Sequence, residues 1–286
     1  MFKKILLCID LSPASESLMG CIGEMRRLGL EEIVLAHVIY VANTPGLEVM
    51  LEEDARPFLE QQKANLEAHG FRVTIEMPFG LPAHTLAETA ENHDVDLIMI
   101  GSHGRSIIGE AVLGSVSNKL LRLTRRPVFL VPLAILERKN RDHVCSSIFE
   151  NILFPTDFST SAERVITYIV KIALETMCSV TLFHVLEGSE SDPVKKDQRE
   201  NAERFLLNEK QQRIERGGVT RIIVDQTWGD PGQKICKKVA EGDFSLIVMG
   251  SGGKGVVKEL FFGSVAKEVV RHADVPMLFI PANEDA

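Results

Sequence analysis

One glycine pattern occurs twice in this chain, and its chemistry is anion binding. Gly101-Ser102-His103-Gly104 is followed by nine residues and then Gly114-Ser115; Gly250-Ser251-Gly252-Gly253 is followed by nine residues and then Gly263-Ser264. Glycine lets backbone N–H groups approach an anion with no Cβ in the way, and a helix start beside a serine adds unpaired donors and a positive dipole. Each copy follows an apolar run, Asp96 to Ile100 or Phe244 to Met249, and precedes a short amphipathic stretch ending at Pro127 or Pro276. The spacing predicts strand, phosphate-sized loop and helix, hence two nucleotide sites.

The duplication extends beyond the loops. Lys4 to Asp10 is echoed by Asn151 to Asp157, and His37-Val38 by His184-Val185, each 147 positions later; the glycine loops and Pro127/Pro276 are 149 apart. A net two-residue insertion therefore falls between His184 and Gly250. Solenoid repeats run at roughly 20–50 residues, so this period predicts duplicated domains: residues 1–135 and 148–286, joined by a linker over 136–147 whose charged run is Glu137 to Asp142. With 286 residues, 45% hydrophobic, 25% charged and a net charge of −8, each half can bury its own core, and neither disorder nor electrostatic binding of nucleic acid is expected.

Five cysteines, Cys8, Cys21, Cys145, Cys178 and Cys236, include no C-x-x-C pair. An odd count, with three in apolar segments, predicts buried thiols and a reducing compartment. Lys3-Lys4 before Ile5 to Ile9, then Leu18 to Cys21, imitates a lipoprotein signal. Its apolar run is broken by Asp10, Ser12 and Pro13, and no segment approaches the ~20 apolar residues that span a bilayer. The expected location is the cytoplasm.

Short apolar strands alternate with helices in the same order in both halves, as buried parallel strands require. In the first half strands are predicted near 3–10, 33–39, 72–77, 95–100 and 127–131, with helices near 14–28, 48–69, 82–92 and 115–124. In the second, strands fall near 150–157, 179–186, 220–226, 244–249 and 276–280, with helices near 161–176, 194–216, 231–241 and 264–273. The fold class is α/β, two tandem doubly wound domains. Right-handed crossovers bring all strand C-termini to one edge. Asp10, Val38 and Gly101 meet there, as do Asp157, Val185 and Gly250. A carboxylate after strand 1 can accept from ribose hydroxyls or hold a hydrated Mg²⁺, the backbone beside the valine can face a base, and the glycine loop can wrap phosphates.

At these residues the chain resembles the universal stress protein family, in its tandem two-domain form. G-x-x-G, nine residues, G-[S/T] is matched without gaps in both halves. The early strand ending in Asp, the His-Val after strand 2 and the terminal strand from Pro127 or Pro276 also look like the family, over about residues 2–282. The resemblance implies five parallel strands in the order 3-2-1-4-5, with ATP or AMP bound in each half. It also implies pairing of the halves through strand 5 as an intrachain pseudo-dimer, and a family tendency to homodimers. It assigns Asp10 and Asp157 to the ribose or metal side and Val38 and Val185 to the adenine. Gly101, Gly104, Gly250 and Gly253 become phosphate-loop glycines. Gly114, Ser115 and Val116, with Gly263, Ser264 and Val265, become the motif's end at the phosphates. Arg105 and Lys254 differ between the copies; either can touch a phosphate or be solvated.

Plainer readings stand beside these. Asp10 and Asp157 can cap a helix; His37, His184 and the single tryptophan, Trp228, can be packing residues. Gly250, Gly252 and Gly255 spell G-x-G-x-x-G in the wrong place for a dinucleotide fingerprint. No nucleophile stands out, and phosphoryl transfer needs a metal clamp, a nucleophile and cationic charge. The sequence therefore reads as a nucleotide-binding stress regulator rather than an enzyme. Its rivals are a slow ATPase or phosphotransferase and an interaction module with vestigial loops.

Overall fold

The computed structural model describes residues 1–12, 18–41, 46–102, 113–132, 135, 145–189, 191–252 and 262–281. It divides into two units, Met1–Ser146 and Ser147–Ala286.

In the first unit the strands are β1 (Lys4–Cys8), β2 (Glu32–Ala36), β3 (Arg72–Glu76), β4 (Leu97–Gly101) and β5 (Val128–Val131). They pair in parallel in the order β3-β2-β1-β4-β5. β1 and β4 are buried over nearly their whole length, with Ile5, Leu6, Leu7, Leu97, Ile98 and Met99 fully enclosed. Only helices on both faces give such burial, which is why these strands read as continuous apolar runs. The helices are a short α1 (Ile22–Met25) between two 3-10 turns, then α2 (Glu48–Ala68), α3 (Pro82–Asn92) and α4 (Ser115–Leu123).

The second unit repeats the order with β6 (Asn151–Pro155), β7 (Ser179–Leu186), β8 (Ile222–Trp228), β9 (Leu246–Gly250) and β10 (Met277–Ile280), paired as β8-β7-β6-β9-β10. Its helices are α5 (Thr160–Thr176), α6 (Pro193–Arg216), α7 (Pro231–Glu241) and α8 (Ser264–His272). Phe149, Phe154 and Phe279 anchor its core. Proline at the first helical position and an aspartate cap start α6 and α7: Asp192 accepts from Val194 N at 2.9 Å, and Asp230 from Gln233 N at 2.9 Å. Each half is thus a doubly wound α/β unit in the expected strand order.

Three expectations change. The continuous helix over 14–28 is, among described residues, the broken segment from Met19 to Leu28. Gly20 and Gly23 lower helix propensity there, whereas Thr160–Thr176 contains no glycine and runs unbroken. Strand 1 stops at Cys8 instead of residue 10, because Leu11 turns to φ 61°. Cys21 and Cys145, 124 residues apart, are joined as a disulfide, so the expectation of buried thiols holds for the free, buried Cys8 and Cys178 and fails for these two. Folding brings these two together within one unit, a pairing that spacing could not show. Of the linker expected over 136–147, residues 136–144 lie outside the described residues. Among the described residues no helix is long and apolar enough to cross a membrane.

Unfolded but unreduced protein should accordingly offer three thiols to alkylation, those of Cys8, Cys178 and Cys236, and five after reduction. Mass spectrometry counts the adducts, and five adducts before reduction would refute the bond.

Candidate functional site

In the second unit the strand order reverses between β6 and β9, the place where open α/β sheets form a crevice at strand C-termini. A cleft of about 280 Å³ occupies it. Thr156 and Asp157 after β6, His184 and Val185 of β7, Gly250, Ser251 and Gly252 of the β9 end, and Gly263 to Ala266 at the start of α8 all line it.

The main chain of Val185 faces this cleft for a reason of strand geometry. In β7 the odd residues bond to β6, as Ser179 N to Glu150 O at 2.8 Å and Thr156 N to Phe183 O at 2.9 Å; the even residues bond to β8, as Gly229 N to Leu186 O at 3.0 Å. β6 ends at Pro155. The N–H and C=O of Val185 therefore point to the β6 side beyond that strand's last residue. The first unit repeats this with opposite parity. Even residues of β2 bond to β1, through Ile9 N to Ala36 O at 3.0 Å, and odd ones to β3, through His37 N to Glu76 O at 3.0 Å. Val38 thus presents its main chain past the end of β1. An adjacent donor and acceptor on an extended strand match a base edge.

The glycine loop is closed at its base in both units. Gly263 N donates to Ser251 O at 2.9 Å and Gly114 N to Ser102 O at 2.8 Å; Ser251 N and Ser102 N reach Ile280 O at 2.9 Å and Val131 O at 2.8 Å. The helix that follows begins with a glycine cap, no side-chain cap bond and no acidic residue in its first turn, in α4 and α8 alike. In α8 the first-turn residues Ser264, Val265 and Ala266 border the cleft. Helix-start amides of this kind lack intrahelical partners and carry the positive end of the dipole. Such a helix start can hold an anion.

Two glycines there are glycines for different reasons. A Cβ on Gly250 would meet Ser161 Oγ at 2.8 Å and Ser161 Cβ at 3.0 Å, so α5 excludes any side chain. At Gly263, φ is −65° and a Cβ would make only ordinary contacts, Ser251 O at 3.7 Å and Gly252 Cα at 4.0 Å. Neither packing nor backbone conformation demands glycine at 263. What an added side chain would take up is cleft space.

Asp157 holds a turn rather than capping α5, and Asp10 makes the same turn bond in the first unit. Asp157 Oδ1 accepts from Ser159 N at 3.0 Å, and Ser159 itself is the cap of α5; Asp10 Oδ1 accepts from Ser12 N at 3.1 Å and Ser12 Oγ at 2.6 Å. Between each pair sits a residue with positive φ, Leu11 at 61° and Phe158 at 62°. Non-glycine residues seldom adopt this conformation, and its recurrence marks a built feature.

The structure brings Asp157, Val185, Gly250, Gly263, Ser264 and Val265 to one cleft, and places Asp10, Val38, Gly101, Gly114, Ser115 and Val116 at the matching strand and helix ends of the first unit. Gly104, Arg105, Gly253 and Lys254 lie outside the described residues. Sequence reasoning missed the α6 side. His184 is buried, yet its ring is bonded through both nitrogens, Nδ1 to Thr156 O at 2.7 Å and Nε2 to Glu203. Arg199 Nε donates to Glu203 at 3.0 Å and lies 5.1 Å over the Trp228 ring, whose Nε1 donates to Glu200. Burial works to raise the Glu203 carboxyl, but hydrogen bonds from Arg199 and His184 outweigh it and hold it below the usual range. Trp228 is therefore part of a polar network and not only packing. The available signal was the i,i+4 spacing of Arg199 and Glu203 on a helix.

The profile described as Universal stress protein family matches residues 1–132 and again 149–281. The chain belongs to that family. A crystal structure of a universal stress protein from Archaeoglobus fulgidus superposes with a TM-score of 0.78 at 26% identity, covering 99% of this chain and 100% of that one. A universal stress protein of Methanocaldococcus jannaschii is 30% identical over 163 residues, 49% of this chain and 98% of its own. One from Mycolicibacterium smegmatis is 24% identical over 296 residues, 96% of each chain. This universal stress protein is thus matched by relatives of one unit and of two.

Gly250→Ala should lower stability by about 1–3 kcal/mol through overpacking against Ser161, while Gly263→Ala should leave thermal unfolding nearly unchanged; equal melting shifts would contradict the assignment. Glu203 titrates lower folded than unfolded, so its stabilisation is present above the unfolded value of about 4.3 and fades as pH falls through the folded one. Melts of wild type and Glu203→Gln should converge at the acid end and separate as pH rises.

Proposed function

We propose that this protein binds an adenine nucleotide, ATP or AMP, in each half, and that occupancy rather than turnover is its function in stress regulation. One observation carries the reading: the uncapped start of α8, the Ser251-Gly252 bend, the Val185 main chain and Asp157 open onto the same cleft. Donors for phosphate, a carboxylate for ribose and an edge for the base thereby occur in the order that a nucleotide needs. Gly253, Lys254, Gly104 and Arg105 join the phosphate end in this proposal. Among the described residues no cluster of three or more His, Cys, Asp or Glu could hold a metal ion by itself. A magnesium ion would accordingly enter with the phosphates, with Asp157 or Asp10 on its protein side.

Equilibrium binding of ATP and AMP to nucleotide-stripped protein tests this, against a Gly114→Val, Gly263→Val double variant. Wild type should bind and the variant should lose most of its affinity. Because Trp228 is the only tryptophan and Arg199 joins it to the cleft, a fluorescence change would report filling of the second unit alone. Equally weak binding by both proteins would remove the proposal. Steady phosphate release that depends on Mg²⁺ and on Asp157 would favour slow hydrolysis instead. A native mass spectrum of protein as purified reports bound nucleotide and the number of associated chains together.

A further inference from the structure

The His184 network does more than fill space beside the cleft. Thr156, the last residue of that chain segment before Asp157, is gripped at both main-chain groups by consecutive β7 residues: its N–H donates to Phe183 O at 2.9 Å and its carbonyl accepts from His184 Nδ1 at 2.7 Å. From the helix side Glu203 holds the opposite ring nitrogen. Arg199, bonded to Glu203, also donates to Glu187 O at 2.9 Å, so the chain leaving β7 is tied to the same helix. The segment on either side of Val185 is therefore fixed at His184 and at Glu187.

With Glu203 ionised, both ring nitrogens of His184 face oxygens that carry no proton. The Thr156 carbonyl can only accept, so Nδ1 donates to it and Nε2 is the nitrogen that meets the Glu203 carboxylate. Below it the Phe158 ring lies 4.5 Å from the imidazole, and Lys210 sits 5.5 Å over Phe158. Among the described residues, the charged groups near His184 include Glu203, Arg199 and Lys210 of α6, Glu163 of α5 paired with Lys210, Glu187 after β7 and Asp157 after β6. On β8 its register partner is the uncharged Gln226.

We propose that Glu203, acting through His184, is the positioning residue of the second unit's nucleotide site, holding the base-facing main chain of Val185 against the Thr156–Asp157 turn. The inference rests on the nucleotide reading above. Removing the carboxylate frees the ring, the strand end and the turn together.

The experiment measures ATP binding by calorimetry in a Gly114→Val background, which leaves the second unit, for Glu203, Glu203→Ala, Glu203→Gln and Glu203→Leu. Glu203→Ala should weaken binding about tenfold, the scale of one hydrogen bond to a charged group. Glu203→Gln, which keeps the side-chain shape and a hydrogen-bonding partner for Nε2, should restore most of the affinity, whereas Glu203→Leu, of similar bulk but with no hydrogen bond, should bind as weakly as Glu203→Ala. Packing alone would not separate Glu203→Gln from Glu203→Leu. Unchanged affinity in Glu203→Ala, or equal affinities in Glu203→Gln and Glu203→Leu, overturns the inference while leaving nucleotide binding in place. A parent protein that binds no ATP removes the nucleotide reading and this inference with it.

Discussion

The site depends on a parallel sheet whose strands stop at different heights. Along β7 the hydrogen-bonding groups alternate between neighbours, and because β6 ends at Pro155 while β7 continues to Leu186, one peptide edge at Val185 is left facing the crevice instead of a strand. Backbone groups cannot be left without partners in a dry interior at small cost. An edge that opens on a cleft therefore keeps access to water or to a ligand. The same stagger of β1 against β2 appears in the first unit at Val38. Everything else at the site is placed by this offset: the turn at Asp157 begins where β6 stops, and the α8 start arrives from the next strand on the other side.

Around that offset the protein places rigidity close to the cleft. The turns after β1 and β6 each carry a residue with positive φ, held by an aspartate that accepts from the serine two positions later. The loop ends at Ser251/Gly263 and Ser102/Gly114 are tied by short backbone bonds of nearly equal length. In the second unit α6 adds a layer of ion pairs and ring contacts, running from Glu203 through Arg199 to Trp228. These contacts lie partly in water, so each contributes little by itself. Their consequence is geometric: a helix that is mostly polar on its outer face is fixed in register against the ends of β7 and β8.

Much of the architecture was legible because its signals are local. Apolar runs alternating with amphipathic stretches fixed the order of elements, and duplication at 147–149 positions marked two units. The glycine motif found the cleft, since only small residues fit where Ser161 presses on Gly250. Asp157, Val185, Gly263, Ser264 and Val265 were named from the chain and do line one cavity. The broken segment around Gly20 and Gly23, the pairing of Cys21 with Cys145 and the bonding of His184 were not legible. Each depends on residues 19 to 124 positions apart, or on a balance between propensity and packing that a periodic pattern does not encode.

The sequence by itself determined the family, the strand–helix order and the residue types at the strand ends, because side-chain periodicity and glycine spacing are properties of neighbours along the chain. Tertiary structure alone decided which main-chain edge faces the cleft and which carboxylate meets the buried imidazole. It decided also that Ser159, rather than Asp157, caps α5. Those outcomes turn on where one strand ends relative to the next and how a helix is seated on the sheet. Packing settles such offsets to within a single residue, and a one-residue change would point the Val185 peptide into its neighbour instead of the cleft.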